Sequence, residues 1–444
     1  MDDEALRAEE KALVRKIDLS LLPTIWLMYL LSYMDRTNIG NAKVAGMDVD
    51  LHLTSGQYSI PLVVFFITYV VFEIPSNLIL SKTKPSIYLP VIMTLWGAVT
   101  CCMSLAHSYH TLLSLRLIVG VLEAGFAPGI LLILSSWYKK DEQSKRFAVY
   151  ISVAVLSGAF DGILAGAITG GLDGVRGLEG WRWLFITPQI VEGAATAFWA
   201  ICSHFILLDF PANTARLTPR EREFAISRLA ADEVTSRTED NPRLTSLQAL
   251  AMSLSNWRTW LLTAGYMVIV GSSTLSYFYP TLVKELRYTS RIAQYIVVPI
   301  YAVAFVAVGV TGYFMDKHPQ HRGVVIAAWL ALSTLCSTLV CTIYNFTARY
   351  VFLVLTAAGL WASNGLALSH SASTFGSMSQ EVRAVSLAFV NAMGNLAQIY
   401  SAYLFPKEDA SKYLLGFGVI SGMCAFGVAV YAISHVVIRR YPSK

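Results

Sequence analysis

Charge is what this chain has least of. Of its 444 residues only 14% are Asp, Glu, Lys or Arg, while 55% are hydrophobic. Soluble globular proteins carry about 25% charged residues. The mean hydropathy of +0.53 points the same way, and a soluble domain of ordinary size is excluded. Cysteine is scarce as well. The six present (Cys101, Cys102, Cys202, Cys336, Cys341 and Cys424) all fall inside apolar runs, where they read as small buried hydrophobes, not disulfides or metal ligands. No GxxxxGK[ST] loop occurs, no Gly-Lys pair, no nucleophile elbow and no metal-ligand spacing. Nucleotide-driven chemistry therefore has no site here. Neither an enzyme, a cofactor nor a nucleic-acid partner is expected. Also missing is an apolar core ahead of the first long apolar run. MDDEALRAEEKALVRKID is polar and mixed in charge, so that run is expected to act as an uncleaved signal-anchor.

What the chain does have is length of apolar sequence. Twelve segments are apolar enough to cross a bilayer, which takes about 20 residues. Their approximate positions are 18–35, 57–80, 86–106, 110–136, 147–171, 182–207, 259–283, 293–315, 323–344, 349–371, 384–405 and 414–437. The expectation is an all-α membrane protein of twelve transmembrane helices. The longest polar stretch, 208–258, falls between the sixth and seventh. The domain reading is therefore an N-terminal tail (1–17), a six-helix half (18–207), a linker (208–258), a second six-helix half (259–437) and a short tail (438–444). Within the linker, Thr218-Pro219-Arg220-Glu221 has the form of a capping box with proline at the first helical position. It predicts a short surface helix through REREFAISRL. Span 5 carries Gly158, Gly162, Gly166 and Gly170 at every fourth position, a spacing that lets a neighbour approach closely.

If the N-terminus is cytoplasmic, the loops on its side hold more than twice as many lysines and arginines as those opposite. The positive-inside rule then places both termini inside. An integral, multi-pass protein of the plasma membrane is expected, surrounded by lipid and working as a monomer.

The few charges inside the spans are the informative ones. Arg116 and Glu123 share the run YHTLLSLRLIVGVLEAGFAPGILLILSSW, seven residues apart. Two helical turns separate them, so they lie near one face. An arginine at the centre of a membrane helix costs about 2.5–3.5 kcal/mol on insertion scales. A stripe that keeps two opposite charges in such a place is read as lining a polar path, with Arg116 drawing an anion or relaying protons and Glu123 carrying a proton. The structural alternative is a permanent Glu–Arg bridge that ties helices together. Asp35 and Arg36 end span 1 as an outer gate or an interfacial cap. Asp161 and Glu192 lie near mid-membrane in spans 5 and 6, each a coupling candidate or a helix-to-helix tie. Glu73 precedes Pro75, which can free backbone groups for polar neighbours. The C-terminal half offers uncharged polar groups instead: Tyr277 in span 7, Trp361 and Asn364 in span 10, and Asn391 and Asn395 one turn apart in span 11.

Several stretches resemble the major facilitator superfamily, and within it the fungal anion:cation symporter branch, the allantoate permease group. They are DRTNIGNA (35–42), FFITYVVFEIPSNLIL (65–80), RLIVGVLEAGFAPGILLILSSWY (116–138), GWRWLFI (180–186), FPANTARLTPREREFAISRL (210–229) and YFYPTLVKELRYT (277–289). The resemblance implies two six-helix halves working by alternating access. It also implies a cavity lined by spans 1, 4, 7 and 10, which favours Tyr277 and Asn364. In that family the loops after spans 2 and 8 latch the cytoplasmic gate. The first is SKTKPS (81–86) here, without an acid. The second, GYFMDKHPQHRG (312–323), keeps Asp316 and Arg322, which with Glu73 are the gate candidates. NGLALSHSASTFGSMSQEVRA (364–384) stands where many branch members are basic.

These readings lead to a secondary transporter for a small organic solute, a carboxylate or other organic anion, driven by protons in symport. Export of a secondary metabolite by proton antiport is the alternative. A non-transporting receptor is a third, and it needs a longer signalling tail than RRYPSK.

Overall fold

The computed structural model describes residues 3–44, 47–53, 55–172, 174–183, 186, 206–214, 216–232, 244–279, 282, 290–343, 345–401, 404–405 and 413–441. Every regular element among them is helical. The helices are α1 (Asp3–Val44), α2 (Met47–Asp50), α3 (Ser55–Lys82), α4 (Pro85–Cys102), α5 (Tyr109–Glu123), α6 (Phe126–Trp137), α7 (Gln143–Leu172), α8 (Pro219–Ala231), α9 (Ser246–Ser255), α10 (Trp257–Ser273), α11 (Ser290–Lys317), α12 (Arg322–Thr342), α13 (Phe346–Thr374), α14 (Gln380–Ser401) and α15 (Leu414–Arg440). Seven spans among the described residues are long and apolar enough to cross a membrane.

Two of those spans differ from the rest. In Tyr109–Trp137 (α5 with α6) and in Phe346–Thr374 (α13), 78% of the apolar window is buried against other protein, compared with 33–50% in the other five. A helix that is apolar all round belongs in an interior, and all twelve residues of α6 are buried. These are spans 4 and 10 of the sequence reading, the ones that carry Arg116 and Asn364.

The chain divides into two compact units that do not follow the sequence halves. One contains residues 1–140, 165–253 and 375–388; the other contains 141–164, 254–374 and 389–444. Inside the first, α5 packs on α3 and α4, and α6 packs on α1, α3 and α4. Gly120 makes the α5–α3 approach possible, because a Cβ there would overlap Thr68 and the Phe65 carbonyl. Inside the second, α13 packs against α10, α11 and α12, and α15 against α10 and α12. Of the span-5 glycine series, the surroundings of Gly158 are described, and there the Tyr301 ring fills the space a side chain would take.

The linker helix is present as α8. Its capping box is complete: Glu221 N donates to Thr218 Oγ1 at 3.3 Å, and Thr218 N donates to Glu221 Oε2 at 2.8 Å. α8 is docked, not free. Arg228 is buried and donates to the last carbonyl of α6, Trp137 O, at 2.9 Å. Glu10 of α1 pairs with both Arg228 and Lys139, and Lys16 pairs with Glu221 at 2.8 Å. The N-terminal segment is part of the same framework, since α1 runs unbroken from Asp3 into the first span. The cysteines differ from one another. Cys336 and Cys424 are buried as expected, but Cys101 and Cys341 are half-buried and Cys102 is exposed. Cys102 is the last residue of α4, near the end of an apolar span.

Candidate functional site

Span 4 is one membrane crossing made of two helices. α5 stops at Glu123 and α6 starts at Phe126. The cause is Pro128, which has no N–H to give the Ala124 carbonyl four residues back, and whose ring crowds that carbonyl. Gly125 sits in the gap because a Cβ there would overlap Ser76 and approach Tyr88. The break places Glu123 at an opening in the backbone ladder. Its side chain is 1% exposed, and its carboxylate accepts a 2.9 Å hydrogen bond from Ser32 of α1. Two turns earlier Arg116 is 3% exposed, with its guanidinium carbon 5.9 Å from the centre of the Phe65 ring on α3. The two charged groups are thus on one interior helix, about 10 Å apart along its axis at 1.5 Å per residue. Tyr29 and Tyr33 of α1 lie near this stripe, Tyr29 stacked on Phe126 at 6.4 Å.

The second unit supplies an uncharged set. Tyr266 of α10 donates from its hydroxyl to Asn364 Oδ1 on α13 at 3.2 Å. The ring of the same tyrosine covers Gly394 on α14, between Asn391 and Asn395. Asn395 accepts from Gln398 Nε2 at 2.9 Å. Asn364, Asn391, Asn395 and Trp361 are all buried. Tyr266 of α10 therefore bonds Asn364 on α13 and covers the stretch of α14 that carries Asn391 and Asn395. Together they offer amide and hydroxyl groups that can both donate and accept.

The gate candidates lie in two separate contact sets. In the second unit the start of α7 meets the end of α11. Lys145 N donates to Asp316 Oδ1 at 2.9 Å, and Arg146 lies 3.8 Å from the same carboxylate. Arg322 is buried and donates to Ser373 at 3.0 Å. In the first unit the end of α3 meets the start of α14. Asn77 Nδ2 donates to Ala384 O at 2.7 Å, and Gln380 Nε2 donates to Ser81 O at 3.2 Å. Arg383 is buried and donates to Ser136 Oγ at 3.0 Å. Glu73 is fully buried one turn before Asn77. Each set joins an element of residues 18–207 to one of residues 259–437.

Other sequence candidates fall where less is described. Asp35 and Arg36 lie within α1, Asp161 within α7 and Tyr277 in the short helix Thr274–Phe278, but their side chains are outside the described residues; Glu192 is outside them altogether. Ser32, Tyr266, Asn77 and Arg383 are the residues that sequence reasoning missed. Arg383 carried a signal, being a charge at the mouth of an apolar run, and Asn77 stands beside Glu73 and Pro75. His370 of α13 is only partly exposed, and its ring centre lies 6.5 Å from that of Tyr431.

Buried charges on interior helices of an apolar bundle mark functional positions in a membrane protein. The family model described as the Major Facilitator Superfamily matches residues 25–402. The chain belongs to that superfamily, and it is an integral, multi-pass membrane transporter and not an enzyme. It is similar to MFS transporter prlL of Fungal sp. (strain NRRL 50135), with 34% identity over 447 residues covering 97% of this chain and 87% of that one. It is also similar to MFS-type transporter cnsO of Penicillium expansum, with 31% identity over 446 residues, 98% of this chain and 85% of that one. Among solved structures, the MFS proton:xylose symporter XylE bound to 6-bromo-6-deoxy-D-glucose superposes with a TM-score of 0.69 over 96% of both chains. At 13% identity that likeness shows the shared all-helical major facilitator fold.

Proposed function

We propose that the protein is a proton-coupled symporter that moves a small organic anion, such as a carboxylate, by alternating access between two six-helix halves, 18–207 and 259–437. The observation that carries this is the Ser32–Glu123 pair at the break in span 4. A hydroxyl donates to a carboxylate and accepts from a carboxylic acid. Ser32 can therefore serve Glu123 in either protonation state, so a proton can come and go without leaving a buried oxygen unsatisfied. Arg116, two turns away on the same interior helix, supplies the positive charge that draws the anion. The α3–α14 contacts at Asn77 in the first unit and the α7–α11 contacts at Asp316 in the second each act as a latch between elements of the two sequence halves. Both termini are cytoplasmic in this reading, in the plasma membrane, with the monomer as the working unit. Protonation biases the equilibrium between the two facing states.

Flux in reconstituted vesicles tests this. An inward proton gradient should drive accumulation of the anion, and Glu123→Gln should abolish accumulation while leaving solute exchange. Accumulation that survives Glu123→Gln removes Glu123 as the coupling site. A gradient that drives the solute against the direction of proton flow replaces symport with antiport.

A further inference from the structure

The linker contains a second helix, α9, with an unusual surface. Residues 246–255 read SLQALAMSLS, with no charged residue. One face packs on protein: Ala249 is buried against Ile74 and Leu78 of α3 and Val382 and Val385 of α14, and the buried Ser253 shares a 2.8 Å hydrogen bond with Ser386. The opposite face carries Leu247, Ala251 and Met252 together with the uncharged polar residues Gln248 and Ser255. Leu247 is 78% exposed, the highest value among the exposed large hydrophobic residues described. α8 in the same linker is the contrast, because its outer face carries Arg220, Glu221 and Glu223. Water suits that face and does not suit the outer face of α9.

Three observations set the depth of α9. Lys82, the last residue of the membrane span Val63–Lys82, donates to Ser246 Oγ at 3.1 Å, which ties the first residue of α9 to the edge of that span. The face of α3 beside the contact residues Ile74 and Leu78 continues outward through Val71 and Ile79, both more than half exposed on a membrane helix. At its other end α9 leads within two residues into α10, which opens with Trp257 and Trp260, both exposed, the Trp260 indole donating to Leu254 O at 2.8 Å. Exposed tryptophans at a helix end mark the membrane–water boundary.

We propose that α9 is an interfacial helix that lies along the bilayer surface, with Leu247, Ala251 and Met252 set into the boundary between phospholipid headgroups and acyl chains. Lys82, Lys84 and Arg258 stand near its ends and suit anionic headgroups. The inference rests on membrane insertion and not on the identity of the solute. The test installs the photo-crosslinker p-benzoylphenylalanine singly at positions 247 and 252, with position 223 on the outer face of α8 as the reference. Each full-length protein is reconstituted in vesicles of phosphatidylcholine and phosphatidylserine, irradiated, and its adducts are read by mass spectrometry. Phospholipid adducts at 247 and 252 in clear excess over 223 are expected. Equal yields at all three positions, no adducts at 247 and 252, or adducts there to a second copy of the chain would each overturn the proposal. Both test positions are exposed, so either alone suffices if the other variant does not purify as a single species.

Discussion

Ser32 on α1 and Glu123 at the end of α5 are joined by a 2.9 Å hydrogen bond between two helices of the first unit. Both side chains are buried, and the bond falls where Pro128 interrupts the span. A buried carboxylate that loses such a donor must bear its own desolvation.

The first prediction follows from that bond. A hydrogen bond to a charged group contributes about 1.5–3 kcal/mol. If transport cycles through the ionised carboxylate, Ser32→Ala should slow solute exchange roughly ten- to a hundredfold, the kinetic equivalent of that energy. Ser32→Thr keeps the hydroxyl and should restore most of the rate. Exchange measured in vesicles for the two variants and the parent decides it, and an alanine variant as fast as the parent removes Ser32 from the cycle.

Arg116 leads to the second. Its guanidinium stands 5.9 Å from the Phe65 ring centre, a contact worth about 0.5–2 kcal/mol. Arg116→Lys keeps the charge but loses the planar fork that meets a carboxylate in two bonds. The expected result is a raised KM with kcat less affected, and Phe65→Leu should show a smaller change of the same kind. Transport kinetics over a range of solute concentrations separate the two parameters. An unchanged KM in Arg116→Lys would show that the solute does not meet this guanidinium.

How much of this was legible in the sequence depends on what stands out against an apolar background. Arg116 and Glu123 did, because charge is rare in such runs. Ser32 did not. Serine and threonine in helices commonly bond the carbonyl four residues back, as Thr24 does to Ser20 and Thr263 to Thr259, and nothing in a single sequence separates those from one that reaches another helix. α8 announced itself through Thr218 and Glu221. α9 begins with the same kind of signal, Thr245 with Gln248, where the Gln248 side chain accepts from Thr245 N at 3.0 Å and Gln248 N donates to Thr245 Oγ1 at 3.3 Å. With no charge and only ten residues, it does not stand out within the linker 208–258. The division into 141–164 and 375–388 within opposite units was not legible at all, because it depends on which helices meet after folding.

The third prediction concerns the break itself. Gly125 is closed in by Ser76 and Tyr88, which are hydrogen-bonded to each other. Gly125→Ala must push that pair apart. Overpacking of this kind costs about 1–3 kcal/mol. The purified variant should unfold at a lower temperature than the parent in the same detergent, and Gly125→Ala combined with Ser76→Gly should recover part of the loss. Equal melting temperatures for parent and Gly125→Ala would mean that the helix break has slack.

The fourth prediction concerns the linker and pH. Glu221 accepts from Lys16 Nζ at 2.8 Å and from Thr218 N at 2.8 Å. These bonds, the Lys16 contact first, hold its carboxyl below the ordinary value of 4.5. The sign follows from that direction. A carboxyl with a lowered folded-state value contributes stability above its unfolded value, and the contribution disappears as pH falls through the lowered one. The α8 clamp is therefore intact near neutrality and weakens only in acid, below about pH 4.5. Both partners are partly exposed, at 47% and 31% of their side-chain surface, so the ion pair is worth about 0.2–1 kcal/mol. Hydrogen exchange of the 219–231 amides should be steady from neutral pH down to mildly acidic pH, after correction for intrinsic rates, and rise below that point. Lys16→Gln should raise exchange at neutral pH and flatten the acid step. A variant whose α8 is as protected as the parent's would show that Arg228, buried against the end of α6, holds the linker helix without help from Lys16.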